Sequence, residues 1–148
     1  MSPKAPIGYI DIRVFAHATE DLDKVLTAAR NIIPSDLVDT VTFNKTGLTG
    51  HHGNPITLFE ARVKERNLVN SIFGKLCSGL RILDKEVLTD EINQHLDKGN
   101  LYMRLDKQSA YLNELRLGST DPIHVRIHFK KHDIEGVVDI CRSFGLLP

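Results

Sequence analysis

Tryptophan is absent from this chain, and cysteine occurs only at Cys77 and Cys141. Two thiols so far apart in sequence make neither a disulfide framework nor a CxxC metal pair. Both lie in segments patterned as helices with apolar neighbours, so they read as buried free thiols. An excess of one charge is also lacking: Lys and Arg number 19, and Asp and Glu number 19. That balance excludes a uniformly polycationic nucleic-acid binder. Any basic surface has to arise from local segregation of charge. No apolar stretch approaches the roughly 18 residues of a membrane span. With no signal peptide in view, the expectation is a soluble, cytoplasmic protein with no membrane partner. HExxH, CxxC and a carboxylate trio are all missing, so no metal and no cofactor is expected.

What is present is an ordinary globular balance. Of 148 residues, 41% are hydrophobic and 26% charged. That is enough for residues 1–148 to form one domain with a real core.

Residues 8–17 alternate Ile10, Ile12, Val14 and Ala16 with Tyr9, Asp11, Arg13, Phe15 and His17. A period of two predicts a half-buried strand. Helical spacing then predicts a helix over Glu20–Ile33, capped by Thr19 and stopped by Pro34. A second strand is expected over Val38–Lys45 and a third over Ile56–Lys64, paired as a hairpin across the glycine-rich connector Thr46–Asn54. Helices are expected over Asn67–Leu83 and Asp84–Leu96. Asp97–Asn100 is a turn signal. Leu101–Asp106 reads as a strand, Lys107–Tyr111 as a polar connector and Leu112–Leu117 as a further short strand. Ile123–Phe129 alternates without a fault, and Asp133–Phe144 closes as a helix. Consecutive strands with hairpin-like turns favour an α+β fold: a single, largely antiparallel sheet with helices packed on one face. The other sheet face is then open to water or a ligand.

The loop Gly50-His51-His52-Gly53-Asn54-Pro55 sets two imidazoles between two glycines. Pro55 lacks an N–H and suits the first position of a strand. Four uses are open to such a loop: metal ligation, general acid–base work, a grip on phosphate through backbone N–H groups, and a structured turn with solvated histidines.

Pooling the polar faces of three strands gives Arg13 and His17, Tyr102 and Arg104, and His124, Arg126 and His128. Lys107 and Lys130 sit at strand ends. Tyr9, Phe15 and Tyr102 interleave rings among these bases, and Asp11 and Asp106 are the acids on the same strands. RNA-binding sheets stack unpaired bases on rings and hold the backbone with Arg and Lys. The same alternation also serves to keep an ordinary sheet face solvated and its edges unpaired.

Three blocks combine with this pattern: Phe15–Asp21, Gly50–Ile56, and Leu101–Gln108 followed by Asp121–Ile127. Together they resemble the archaeal RNA-binding family described as predicted exosome subunits, over nearly the whole chain. The resemblance implies an α+β fold similar to that of the large-subunit ribosomal protein that binds 5S ribosomal RNA. It also implies RNA as partner, with exosome or ribosomal components as further partners through RNA processing. It carries over no catalytic residue. From their chemistry, the expected RNA contacts are Arg13, His17, His51, His52, Asn54, Tyr102, Arg104, Lys107, Gln108, His124, Arg126 and His128. Two rivals remain. One is a metal-independent RNA-processing enzyme using His51 and His52 as base and acid. The other is a scaffold whose open sheet binds a protein.

Overall fold

The computed structural model describes residues 5–50, 52–130 and 133–148. Six strands form one antiparallel sheet: β1 Ile7–His17, β2 Asn44–Thr49, β3 Pro55–Val63, β4 Leu96–Asp97, β5 Asn100–Leu105 and β6 Ile123–Phe129. Their spatial order is β2-β3-β1-β6-β5-β4. The helices are α1 Leu22–Arg30, α2 Arg66–Gly79, α3 Ile82–Asp90, α4 Ile92–His95, α5 Lys107–Tyr111 and α6 Ile134–Ser143. The mixed α+β class expected from the alternation is the one observed.

One face of the sheet is the core. Ile10, Ile12 and Val14 of β1 are buried with Leu101, Met103 and Leu105 of β5 and the four odd-numbered residues of β6. The α2 ring Phe73 packs edge-on against Phe129 of β6 and Phe144 beside α6. Cys77 and Cys141 are free and buried here, and burial pushes their thiols up to about 11 and about 12.

Several boundaries differ from expectation, for local reasons. α1 starts later because Asp21, and not Thr19, is its cap: Asp21 Oδ1 accepts from Asp23 N at 2.9 Å. Its end tightens into i→i+3 bonds, Ile32 N to Ala29 O and Ile33 N to Arg30 O. There Lys75 Nζ takes the Asn31 and Ile33 carbonyls at 2.6 and 3.3 Å, which would otherwise be helix-end orphans. The expected strand Val38–Lys45 is a short 3-10 turn at Val38–Thr40, and β2 begins at Asn44 and runs into the supposed connector. α2 stops at Gly79, where a Cβ would come within 2.7 Å of Leu115, and Leu80 turns extended. Ile82 and Leu83 of α3 are left exposed. The connector Lys107–Tyr111 is helix α5, and its cap is Asp106, whose Oδ2 accepts from Ser109 N at 2.9 Å and Ser109 Oγ at 2.6 Å. Asp106 therefore does not serve the open face. Leu112–Leu117 is not a strand; a lone bridge joins Leu105 to Leu117, and Asn113 has φ 61.

Pro55 opens β3 as expected. The β2–β3 loop is tight: Gly50 N donates to Asn54 O at 2.6 Å and Gly53 N to Gly50 O at 3.0 Å. Gly53 has φ +79, the left-handed region that glycine occupies without a Cβ penalty.

Candidate nucleic-acid interface

The strand order decides which outward side chains are neighbours. β1 lies between β3 and β6, and β5 follows β6. The three strands pooled from sequence are thus adjacent, and β3 joins them. Register then sets the outward residues in transverse rows. One row reads Asn44, Glu60, Arg13, His124, Arg104. The next reads Arg62, Asp11, Arg126, Tyr102. These two rows floor a recess of about 640 Å³, with Asn44 of β2 on one side and Gln94 of α4 on the other. His95 of α4 bonds the Tyr102 carbonyl through Nδ1 at 2.9 Å, which ties the α4 side to β5.

The two rows differ in electrostatics. Asp11 accepts from Arg62 Nε at 2.7 Å and Nη2 at 2.9 Å. It also accepts from Arg126 Nε at 3.1 Å and Nη2 at 2.5 Å. Burial opposes ionisation of Asp11, but hydrogen bonds from Arg62 and then Arg126 outweigh it and hold the carboxyl below its ordinary value. The hydrogen bond to Asp11 likewise raises both guanidiniums. Tyr9 supports the group: Arg62 lies 4.2 Å from its ring centre and Arg126 5.5 Å. His128 stacks on Tyr9 at 4.7 Å and 15°, with its Nδ1 2.8 Å from Asn100 Oδ1. The partners of Tyr9 thus come from the strands on both sides of β1.

In the other row, neither Arg13 nor Arg104 has an ion-pair partner among the described residues. Arg13 lies 5.8 Å from the Phe15 ring centre. His124 is half-buried between them. Burial first, then Arg13 and Arg104, push its pKa below the ordinary 6.5, with Asp121 opposing. Tyr102 keeps 40% of its surface exposed.

Lys107 and His17 form a separate cluster at the end of β1. Lys107 Nζ donates to Phe15 O at 2.8 Å, Glu20 at 3.1 and 3.2 Å, and Asp121 Oδ2 at 2.6 Å. His17 Nε2 lies 3.1 Å from Asp121 Oδ1. One donor atom each from His17, Glu20 and Asp121 falls within 4.8 Å of the others, a grouping compatible with a metal ion. The Lys107 ammonium already supplies the positive charge there.

The hairpin loop stands apart from the recess. Glu60 lies five residues beyond Pro55, about 17 Å along an extended strand. Leu58 and Ile56 occupy the outward positions between. His52 and Asn54 are exposed in that loop and Gln108 is exposed on α5. His51 lies outside the described residues. The N–H groups of Gly50 and Gly53 are spent inside the loop, so they are not the phosphate donors expected of it.

Pooling three strands missed Glu60 and Arg62 of β3, and also Asn44 and Gln94. The signal for Arg62 was available: it is flanked by Ala61 and Val63 in a strand recognised as such.

A single antiparallel sheet with helices, its open face basic and ring-bearing, places the chain in the mixed α+β class. Comparison with known proteins narrows the class. A family model described as RNA binding matches residues 9–129. The chain is 34% identical to the RNA-binding protein PAB1135 of Pyrococcus abyssi, with 97% of each covered. The crystal structure of protein AF2318 from Archaeoglobus fulgidus, a DUF54 protein, superimposes with TM-score 0.78 at 26% identity, over 93% of this chain and 99% of that one. Mth689, a DUF54 protein of Methanothermobacter thermautotrophicus, gives 0.73 at 31%, over 94% and 98%. The chain belongs to this archaeal RNA-binding family. Among the described residues, no helix is long and apolar enough to cross a membrane.

Proposed function

We propose that the protein binds RNA in the recess on the open face of its sheet and does no chemistry on it. The observation that carries this is the division among four arginines. Arg62 and Arg126 share the Asp11 carboxylate, whereas Arg13 and Arg104 are left without ion pairs among the described residues. Exposed, unneutralised guanidiniums beside an open tyrosine ring fit a phosphodiester backbone with an unstacked base. Asn44 and Gln94 at the sides offer donors and acceptors for base edges and 2′-hydroxyls. The family description and the name of the Pyrococcus relative support RNA as the ligand and binding as the activity.

In this reading Arg13, Tyr102, Arg104, His124 and Arg126 make the central contacts. His17, His52, Asn54, Gln108 and His128 flank them, and residues 1–148 act as one RNA-binding unit in the cytoplasm. A link to the exosome, to RNA processing or to ribosomal components extends the proposal. Its support is the resemblance of the sequence blocks. The test is binding of a short single-stranded RNA across a salt series, with the RNA recovered afterwards. The logarithm of the affinity should fall linearly with log salt, and the RNA should stay intact. Absence of binding at low salt, or affinity indifferent to salt, would overturn the proposal.

A further inference from the structure

His124 stands directly between two arginines. The β1–β6 register sets Arg13 opposite it, and the β5–β6 register sets Arg104 opposite it on the other side. Adjacent strands lie about 4.8 Å apart, so the two arginine stems start about 10 Å apart with the imidazole midway. Arg13 and Arg104 are exposed and His124 is half-buried. An anion resting over His124 is within reach of both guanidinium forks.

We propose that Arg13, His124 and Arg104 form a phosphodiester subsite, in which His124 takes up a proton from solvent as an RNA phosphate enters. This rests on the RNA-binding reading above and places one phosphate of that ligand. In the free protein, burial and the two flanking cations disfavour the imidazolium. Asp121 pulls the other way. Glu60 faces Arg13 from β3. In the neighbouring row Asp11 is already committed to Arg62 and Arg126. A phosphate between the forks reverses the field at His124, because a neighbouring anion favours the charged imidazole. The imidazolium then has two N–H donors in place of one. A permanent third cation at this position would repel its neighbours in the empty site; a histidine supplies its charge only when the site is filled. Tyr102 lies two residues from Arg104 on β5, about 7 Å along the strand. That is close to one nucleotide step, so a base next to the bound phosphate meets the exposed ring.

The test uses a short, hydroxyl-ended, single-stranded oligouridylate. Its diesters do not titrate near neutrality, so proton uptake on binding belongs to the protein. Wild-type affinity should rise as pH falls through the bound-state pKa of His124 and level off below the lowered free-state value. Between the two the rise should approach tenfold per pH unit, the limit for one linked proton. His124→Gln should lose that one-proton slope. NMR titration of the His124 ring in the wild-type protein, with and without the RNA, needs no variant and should show its pKa raised by binding. RNA that binds with a steep salt dependence yet leaves the His124 pKa unmoved overturns the subsite and leaves the RNA-binding reading standing. So does an unchanged pH slope in His124→Gln. RNA that does not bind at any salt overturns both.

Discussion

Asp11 and Arg126 face each other across β1 and β6, with Arg126 Nη2 2.5 Å from Asp11 Oδ2. Arg62 reaches the same carboxylate from β3. One acid thus holds two guanidiniums beside the recess and removes one unit of positive charge from it. In Asp11→Asn the shape remains and the charge goes. The affinity for single-stranded RNA should rise several-fold at low salt, with a salt slope steeper by about 0.7 for the cation released. Stability should fall by about 1.5 kcal/mol, the low end of the usual range for hydrogen bonds to charged groups, because both arginines are partly exposed. The pH sign follows from the lowered carboxyl. Its stabilisation is complete above the ordinary carboxylate value and is lost as pH falls through the lower folded value. Melting curves from neutral pH down to about pH 2 should therefore converge for wild type and Asp11→Asn at the acid end.

The arginines of the two rows should behave unequally. Arg13→Ala and Arg104→Ala each remove a cation without an ion pair among the described residues, so each should lower the salt slope by about 0.7 for a single-stranded ligand. Stability should change by less than about 0.5 kcal/mol, as for exposed surface positions. Arg62→Ala removes a cation already matched by Asp11, so it should change the slope less and the stability more. Salt-dependent filter binding paired with melts separates the cases. Equal slopes for the three variants would contradict the division of charge described above.

How legible this was in sequence depended on whether one face of an element was buried. β6 was read to the residue because Ile123, Val125, Ile127 and Phe129 must all reach the core, and a one-residue slip would expose them. The α+β class followed from such elements. β2 was misplaced because all six of its residues are exposed, so no core face marks a period. α5 was missed because its cap, Asp106, looks in sequence like the last outward residue of a strand. The basic face was legible as a set of residues. What sequence withheld was adjacency: only the register shows that Arg13 and Arg104 flank His124. It also withheld partnership, because the Asp11 bond to Arg62 joins residues 51 positions apart.

Gly53 offers a test of the hairpin loop. Its φ of +79 disfavours any L side chain, yet a Cβ there would meet nothing within 4 Å. The penalty is therefore conformational and not steric against neighbours. Gly53→Val should cost about 1–2 kcal/mol, since a β-branched residue is poorly suited to the left-handed region. Gly53→Asn should cost less, because asparagine visits that region more readily. Thermal melts rank the two. The recess lies well along β3 from this loop, so the salt slope of RNA binding should stay at the wild-type value in both.

Lys107 was grouped with the RNA contacts by sequence, and its surroundings give it a different expected behaviour. Its side chain is only 13% exposed and its ammonium sits among Phe15 O, Glu20 and Asp121. It joins the end of β1, the turn before α1 and the loop before β6 through one charge. Burial raises the Asp121 carboxyl, but the hydrogen bonds from Lys107 and then His17 outweigh it and hold the group below its ordinary value. Lys107→Met keeps much of the stem and leaves two carboxylates facing each other without their cation. Removing one partner of a largely buried pair costs several kcal/mol; partial exposure of Glu20 and Asp121 reduces that here to about 2 kcal/mol at neutral pH. The cost should shrink as pH falls from neutral to about 3, because protonation of Asp121, held below its ordinary value in the wild type, removes a charge that Lys107 pairs with. Denaturant unfolding at both pH values measures this difference. Filter binding on the same variant should return the wild-type salt slope, because the ammonium is already neutralised before RNA arrives. Unchanged stability together with a shallower salt slope would move Lys107 from the scaffold of the site into its contacts.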